Sequence, residues 1–209
     1  MRFVPSGFAL RVAMLVVVLV PPLSLPGWGQ IPDSTEATAL EYRYQTRSGQ
    51  AAPYVSSPRP VVDSMLSLAG VGEDDIVYDL GSGDGRIPIT AARKYGARGV
   101  GIEIKQRLVD SARARAREAG MADRVEFRRE DLFEADIGDA TVVTLYLLPS
   151  ANLKLRPKLF HELAPGTRVV SHDFHMEEWV PESTTDLGGK LLYLWRIPEE
   201  TPDFVEQER

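Results

Sequence analysis

The sequence predicts a single α/β domain with a Rossmann-like sheet of seven strands, mostly parallel and completed by an antiparallel hairpin. Short apolar runs alternate with helical segments from residue 61 onward, which indicates a parallel sheet with right-handed crossovers. Three glycines at alternate positions follow the first of these runs, at the point where open α/β sheets bind ligands. Leu187-Gly-Gly-Lys190 separates the last two runs, as in a hairpin.

The N-terminal residues are predicted to be a targeting segment. Arg2 and Arg11 precede an apolar run at residues 12–20, and prolines and Gly27-Trp-Gly29 follow. This order is typical of a secretory signal peptide, and the run is shorter than the about 20 residues of a membrane span. We expect residues 1–29 to be a cleaved signal peptide or a retained anchor, with membrane association through residues 8–25. Either role places the domain outside the cytoplasm, exported or in the cell envelope. A wrongly assigned start or a buried helix is the remaining alternative.

Helices and strands follow in a regular order. Residues 30–60 are predicted to hold a polar helix at 33–47 and a loop rich in Ser, Pro and Gly at 48–60. Helical spacing of apolar residues predicts helices at residues 61–68, 87–95, 106–119 and 153–163. Short apolar runs predict strands at residues 76–80, 99–104, 125–129, 141–147, 168–171 and 191–197. Residues 184–186 are predicted to be a strand because they and residues 191–197 flank Leu187-Gly-Gly-Lys190, as in a hairpin. The domain therefore covers residues 61–198, and residues 199–209 form a C-terminal tail.

Composition excludes several kinds of site and partner. The chain of 209 residues has no cysteine, which excludes disulfides, thiolate zinc sites and cysteine nucleophiles. Its formal net charge is −6. Because attraction to phosphates requires a basic field, we expect no nucleic-acid partner.

The strongest functional signal is the glycine loop, defined as Asp79-Leu-Gly81-Ser82-Gly83-Asp-Gly85-Arg86. Glycines there let the backbone adopt positive φ and approach a bulky ligand. The dinucleotide fingerprint G-x-G-x-x-G would place its third glycine at Arg86, so this loop departs from it. Asp79 would repel a pyrophosphate but attract the ammonium and sulfonium of S-adenosylmethionine. A glycine turn that binds no ligand is the plainer alternative.

Two acids that follow the next strands complete a predicted nucleoside site. Glu103 ends the second strand, where an acid can accept hydrogen bonds from ribose hydroxyls; Ile104 is assigned to the same site. Asp131 could accept a hydrogen bond from the adenine amine, with Leu132 and Phe133 against the ring. A solvated acid at Glu103 and a helix cap at Asp131 are the alternatives.

The residues from Tyr54 to about Ile197 resemble class I S-adenosylmethionine-dependent methyltransferases. A narrower resemblance is carried by Ala52-Pro-Tyr-Val-Ser-Ser-Pro58, the glycine loop, Asp131-Leu-Phe133 and Lys154-Leu-Arg-Pro-Lys-Leu159. These segments resemble the mitochondrial lysine methyltransferases that act on the ATP-synthase c subunit and the adenine nucleotide carrier. Nucleosomal lysine methyltransferases of the disruptor-of-telomeric-silencing type share the first segment. They have an Asn-Asn pair where this chain has Leu145-Tyr-Leu-Leu-Pro149, so chromatin is not the expected substrate.

The resemblance implies S-adenosylmethionine as cofactor and a protein lysine side chain as methyl acceptor. It implies that Tyr54 lies over the methionine end of the cofactor. The residues expected to bind the cofactor are Asp79, Gly81, Ser82, Gly83, Gly85, Arg86, Glu103, Ile104, Asp131 and Leu132. A small-molecule or lipid-linked acceptor is one alternative, and an exported non-catalytic binding protein on the same fold is another.

Candidate catalytic residues follow the fourth and fifth strands, and they are Tyr146, Asn152, His172 and Asp173. A lysine acceptor must be neutral to attack, so the site should desolvate its amine or lead the proton to water. Tyr146 could line an aromatic channel, or it could be an ordinary packed tyrosine.

The His172-Asp-Phe-His175 segment also admits a metal-binding interpretation. Two histidines three residues apart lie near Asp173, Glu177 and Glu178, and these residue types bind metal ions. Because the segment is predicted to be a loop at the mouth of the site, we expect polar groups there and no metal.

Overall fold

The structure is a computed structural model, and it describes residues 55–206. The predicted targeting segment, the polar helix at residues 33–47 and Tyr54 lie outside the described residues. No helix in the described part of the chain is long and apolar enough to cross a membrane.

Seven strands and five helices alternate along this part of the chain. In order they are α1 (Arg59–Leu68), β1 (Ile76–Leu80), α2 (Arg86–Tyr95), β2 (Arg98–Ile102), α3 (Gln106–Glu118), β3 (Val125–Arg128), β4 (Val142–Leu145), α4 (Pro149–Glu162), β5 (Arg168–His172), β6 (Ser183–Asp186), β7 (Leu191–Arg196) and α5 (Asp203–Glu206). The strand order is β3-β2-β1-β4-β5-β7-β6. The first five strands pair in parallel, and β7 is antiparallel to both of its neighbours. The predicted sheet is therefore confirmed.

Both faces of the sheet are covered because its central strands β1, β4 and β5 are buried on both sides. Val142 contacts the cluster formed by α1 and α2, whereas the next residue, Val143, contacts the cluster formed by α4. Successive strand residues point to opposite faces, so the helices must lie on both sides. The buried side chain of Phe127 on β3 packs against α3 on the face that carries α1 and α2.

Four predicted boundaries in the described residues are wrong by two residues or more. Helices α1 and α4 begin earlier than predicted, at Arg59 and Pro149, and the prolines lie in the first turn of each helix. A proline in that turn loses no helical hydrogen bond. Strands β2 and β4 end earlier than predicted, at Ile102 and Leu145. Both of these residues pair with Leu80, where β1 itself ends, so later residues have no β1 partner.

The predicted tail contains the short helix α5. The side chain of Val205 is fully buried, and the ring of Phe204 packs edge-on against Phe160 of α4 at 5.9 Å. Part of the tail is thus docked on the domain.

Candidate functional site

The candidate site lies where the strand order reverses. The chain proceeds from β1 outward to β2 and β3 and then returns to β4 on the other side of β1. The carboxyl ends of β1 and β4 therefore separate and leave a crevice, which is where ligands bind in open α/β sheets. The glycine loop begins within β1 at Asp79, and Gly81 directly follows the last residue of the strand, as the sequence predicts.

Asp79 is a buried carboxylate in this crevice. Its side chain is 4% exposed, and its Oδ1 accepts a hydrogen bond of 2.8 Å from the Thr144 hydroxyl on β4. Burial raises the pKa of Asp79 to about 7; the Thr144 hydrogen bond opposes this shift, and the neighbouring Asp84 and Glu103 add to it. A buried acid next to two other acids is suited to a cationic ligand, which would stabilise the ionised form.

Backbone hydrogen bonds shape the glycine loop around the end of β2. The amides of Gly81 and Ser82 both donate to the Ile102 carbonyl at 2.9 Å. The Gly83 amide donates to Glu103 Oε2 at 3.1 Å. Glu103 also accepts the Lys105 amide on Oε1 at 2.9 Å. The predicted ribose acid therefore has a second task, which is to hold the glycine loop against the start of α3.

Gly85 packs against the protein itself. A Cβ atom there would lie 2.5 Å from the Phe127 ring and 2.9 Å from the Ala112 Cβ, and φ is +76°. In the dinucleotide fingerprint the third glycine permits this close packing. Here the same task falls to a glycine that comes one residue earlier.

Arg86 joins the glycine loop to the segment that precedes α1. Its guanidinium pairs with Asp84 at 2.7 Å and donates to the Ser57 carbonyl at 2.8 Å. Arg115 of α3 pairs with the same Asp84 carboxylate. The predicted cofactor residue Arg86 thus anchors the chain between residues 55 and 58.

The predicted adenine side of the crevice is more open. Ile104 is 59% exposed. Asp131 uses Oδ1 to accept the Phe133 amide at 3.0 Å, which is a local turn, since no helix begins there. Leu132 and Phe133 are half-buried and pack against the cluster on the α4 face.

These residues fit S-adenosylmethionine. Asp79 supplies a buried carboxyl group whose ionised form a cation would stabilise, and Ser82 Oγ is buried without a hydrogen-bond partner among the described residues. Glu103 and Asp131 offer carboxylate oxygens for hydroxyl and amine donors, and Ile104 offers exposed apolar surface to a ring.

The predicted catalytic residues Tyr146 and His172 lie together. Their rings stack with centroids 4.0 Å apart and an angle of 29° between the planes. His172 is fully buried, and its Nδ1 shares a hydrogen bond of 2.9 Å with the hydroxyl of Ser57. Burial lowers the pKa of His172, whereas Asp173 raises it and Lys190 lowers it again. Burial also raises the pKa of Tyr146, so both rings favour their neutral forms.

Asp173 carries the charge at the mouth of this cluster. Its backbone has φ +65°, a left-handed conformation that costs about 1 kcal/mol or more for most residues and less for Asp. Oδ1 accepts the Leu191 amide at 3.1 Å, and Oδ2 accepts the ammonium of Lys190 at 3.2 Å. His172 Nε2 lies 3.3 Å from Oδ2 without forming a hydrogen bond with it.

Asn152 is fully buried in the first turns of α4. Its amide nitrogen donates to the Ser171 hydroxyl at 3.2 Å and to the Phe174 carbonyl at 3.3 Å. These contacts position the loop that carries Asp173. The structure therefore favours a supporting role, and direct participation of Asn152 in the reaction stays a prediction.

The described residues contain no group of three or more His, Asp or Glu side chains placed to hold a metal ion. His175 instead accepts the Glu177 amide on Nδ1 at 2.9 Å, and Glu178 pairs with Arg156 at 2.9 Å.

A separate basic cleft of about 720 Å³ lies between α1, α2 and α3. Five cationic side chains and two acidic ones line it, namely Arg59, Arg86, Arg93, Lys94, Arg115, Asp63 and Glu118. Only Arg86 belongs to the predicted cofactor site.

Sequence reasoning missed Ser57, Thr144 and Lys190. Ser57 was available as the residue before Pro58 in the segment that carries the resemblance. Thr144 is a single polar residue in the apolar run of β4, which is a signal for a polar neighbour on the next strand. Nothing in the sequence pointed to a functional role for Lys190, because an exposed lysine in a hairpin turn is common in proteins.

The family model of the ANTKMT methyltransferase domain matches residues 79–183. A protein-lysine N-methyltransferase of Saccharolobus islandicus is 49% identical, over 70% of this chain and 94% of that protein. An adenine nucleotide translocase lysine N-methyltransferase of Mus musculus is 36% identical, over 69% of this chain and 63% of that protein.

A solved structure is also similar to a large part of the chain. It is described as an RNA methyltransferase from Salinibacter ruber in complex with S-adenosyl-L-homocysteine. Its sequence is 66% identical, the match covers 71% of this chain and 97% of that one, and the TM-score is 0.71.

Proposed function

The chain belongs to the ANTKMT methyltransferase family, and we propose that it transfers a methyl group to the side-chain amine of a protein lysine. It is an S-adenosylmethionine-dependent methyltransferase. One observation in the structure supports the lysine acceptor. The Asp173 carboxylate, at the mouth of the Tyr146–His172 cluster, already binds a lysine ammonium of its own chain.

The donor side is proposed to work through charge and fixed geometry. S-adenosylmethionine supplies an electrophilic methyl group on a positively charged sulfonium. Asp79 would hold the cationic end of the cofactor, Glu103 the ribose hydroxyls and Asp131 the adenine amine. Because the glycine loop is held at both sides by backbone hydrogen bonds, this site is largely formed in advance. Positioning of the two reactants can supply most of the rate.

The acceptor side is proposed to control the proton of the incoming amine. Tyr146 and Phe174 have rings 6.5 Å apart, and their apolar faces would desolvate the amine and favour its neutral form. Asp173 Oδ2 lies 3.3 Å from His172 Nε2 and accepts a hydrogen bond from Lys190, and it is proposed to accept the proton of the acceptor amine and pass it to water. His172, neutral and fully buried, holds the Tyr146 ring by stacking.

Labelling with radioactive methyl donor tests the proposal. Purified protein is incubated with an envelope-protein extract, and labelled protein is hydrolysed to amino acids. We expect label in methylated lysines and none with Asp79→Ala. Label only in small molecules would favour a small-molecule acceptor, and no label despite cofactor binding would favour a non-catalytic binding protein.

RNA is a second candidate acceptor. The similar Salinibacter ruber structure is described as an RNA methyltransferase, and five cationic side chains against two acidic ones line the basic cleft of a chain whose net charge is −6. Within the cleft Lys94 pairs with Asp63, and Arg86 and Arg115 pair with Asp84.

The same assay with total RNA separates the two. RNA would be favoured if ribonuclease, but not protease, releases the label. The label should then also be lost in an Arg59→Glu/Arg93→Glu double variant.

A further inference from the structure

Lys190 is a cation of the enzyme itself at the mouth of the proposed acceptor site. It follows the two glycines of the β6–β7 hairpin, and its side chain is 47% exposed. Its Nζ donates to Asp173 Oδ2 at 3.2 Å. The side chain therefore presents to Asp173 the same ammonium group that a substrate lysine would present.

The Asp173 carboxylate is built to receive an ammonium. The Leu191 amide fixes its Oδ1, which leaves Oδ2 directed at the cation. Burial raises the pKa of the Tyr146 and Tyr193 phenols, and the nearby charge of Asp173 raises both further. A carboxylate with aromatic rings on its flanks attracts cations by direct charge and by ring faces.

We propose that Asp173 receives the ammonium of the acceptor lysine and that Lys190 occupies this carboxylate as an internal stand-in until the acceptor displaces it. This inference rests on the proposed lysine acceptor. Lys190 is then a specificity-determining residue, since an acceptor must compete with it and only a cationic side chain of similar reach does so well.

A purely structural salt bridge is the competing explanation. Arg196 and Glu182 form such a pair on the same hairpin, 3.4 Å apart and both about half exposed. If Lys190 only fastened the hairpin, its removal would weaken the mouth of the site, and acceptor binding would become weaker. The stand-in role instead predicts that acceptor binding becomes tighter when Lys190 is removed.

Binding of a lysine analogue shows whether the loss of Lys190 strengthens or weakens acceptor binding, and the measurement needs no methyl transfer. Nα-acetyl-lysine-N-methylamide is titrated by NMR into the full chain saturated with S-adenosylhomocysteine. Lys190→Met keeps the length of the apolar stem and removes the charge, so it should bind the probe about two- to fivefold more tightly than the natural protein. Lys190→Arg, which keeps the charge, should bind as the natural protein does.

The partner variant and a matched control complete the test. Asp173→Asn should bind the probe at least tenfold more weakly, and adding Lys190→Met to it should change nothing, since Lys190 acts through Asp173. Arg196→Met removes the other hairpin ion pair and should leave binding unchanged. With a labelled lysine acceptor, Lys190→Met should lower KM and leave kcat unchanged.

Weaker or unchanged binding in Lys190→Met, or unaltered binding in Asp173→Asn, would overturn the inference. Failure of the proposed function looks different. In that case the natural protein labels no lysine in the extract, whatever the NMR titrations show.

Discussion

Asp79 illustrates how one residue links the cofactor site to pH. The side chain is buried among acids and has a single hydroxyl donor, Thr144, among the described residues. Burial raises its pKa to about 7, so the carboxyl group of the cofactor-free protein is largely protonated below neutral pH. A cationic ligand requires the ionised form, and binding must therefore release a proton.

We expect the affinity for S-adenosylmethionine to fall below pH 7, by up to about tenfold per pH unit. Asp79→Asn should weaken binding at pH 8 at least tenfold and remove most of this pH dependence. Calorimetry at pH 6, 7 and 8 measures both effects, and Glu126→Gln, an exposed acid paired with Arg128, serves as control. An equal pH slope in Asp79→Asn would contradict the assignment.

Through Asp79, the stability of the cofactor-free protein should change with pH in the direction opposite to the cofactor affinity. The folded-state pKa is raised above its ordinary value of 3.8, so the folded state binds more protons and the free energy of unfolding falls as pH rises from about 4 to 7. Asp79→Asn should then be more stable than the natural protein at pH 8, by on the order of 1–4 kcal/mol. Urea denaturation at pH 4 and pH 8 checks this, and the difference should shrink at pH 4.

The effect of adding a single Cβ atom at Gly85 tests the close packing of the glycine loop. Gly85→Ala should destabilise the protein by about 2–4 kcal/mol, because the new Cβ meets Phe127 and Ala112 and the backbone has positive φ. Gly120 has φ +68° and nothing within 4 Å of a Cβ, so Gly120→Ala should cost only about 1 kcal/mol. Equal losses in thermal or urea unfolding would show that φ alone matters.

The segment before α1 shows what an element-scale contact contributes. Ser57 is buried, its carbonyl accepts from Arg86 and its hydroxyl pairs with His172. These two bonds attach α1 to the glycine loop on one side and to the end of β5 on the other. The segment thus joins the proposed donor and acceptor sites.

Ser57→Ala should lower the free energy of unfolding by about 1–3 kcal/mol, because the buried Nδ1 of His172 loses its partner. Ser57→Thr keeps the hydroxyl and should retain most of the stability. Urea unfolding at fixed pH compares the two variants. A stable Ala variant would mean that the hydroxyl–imidazole contact contributes little.

Elements were predictable from sequence where the signal is local. The alternation of apolar runs with helical segments specified the parallel strands and the helices from α1 to α4, because burial on both sheet faces requires apolar residues. Strand β6 contains no apolar residue, and the glycines of the hairpin specified it instead. The ends of β2 and β4 were wrong because they depend on where β1 stops. The predicted start of α4 came too late in the chain. A proline such as Pro149 is favoured in the first turn of a helix and does not prevent the helix from beginning there.

At the scale of the whole molecule, we propose that the chain is exported or anchored in the envelope through residues 1–29. The basic, apolar and small-residue order of that segment supports this. Fractionation and mass spectrometry of the N-terminal peptide in the source organism test it. We expect envelope enrichment with a mature terminus near residue 30, or with an intact terminus if the segment is an anchor. An intact chain in the cytoplasm would contradict the proposal.

The sequence by itself determined the fold class, the glycine loop and the acids Asp79 and Glu103, because these features lie in short contiguous segments whose residue types carry the chemistry. Only the tertiary structure decided that Ser57 meets His172, 115 positions away, and that Lys190 meets Asp173. It also decided that the Phe127 ring leaves no room for a side chain at Gly85. Such contacts follow from the order and pairing of the strands, which bring distant residues to one end of the sheet, and no local pattern records them.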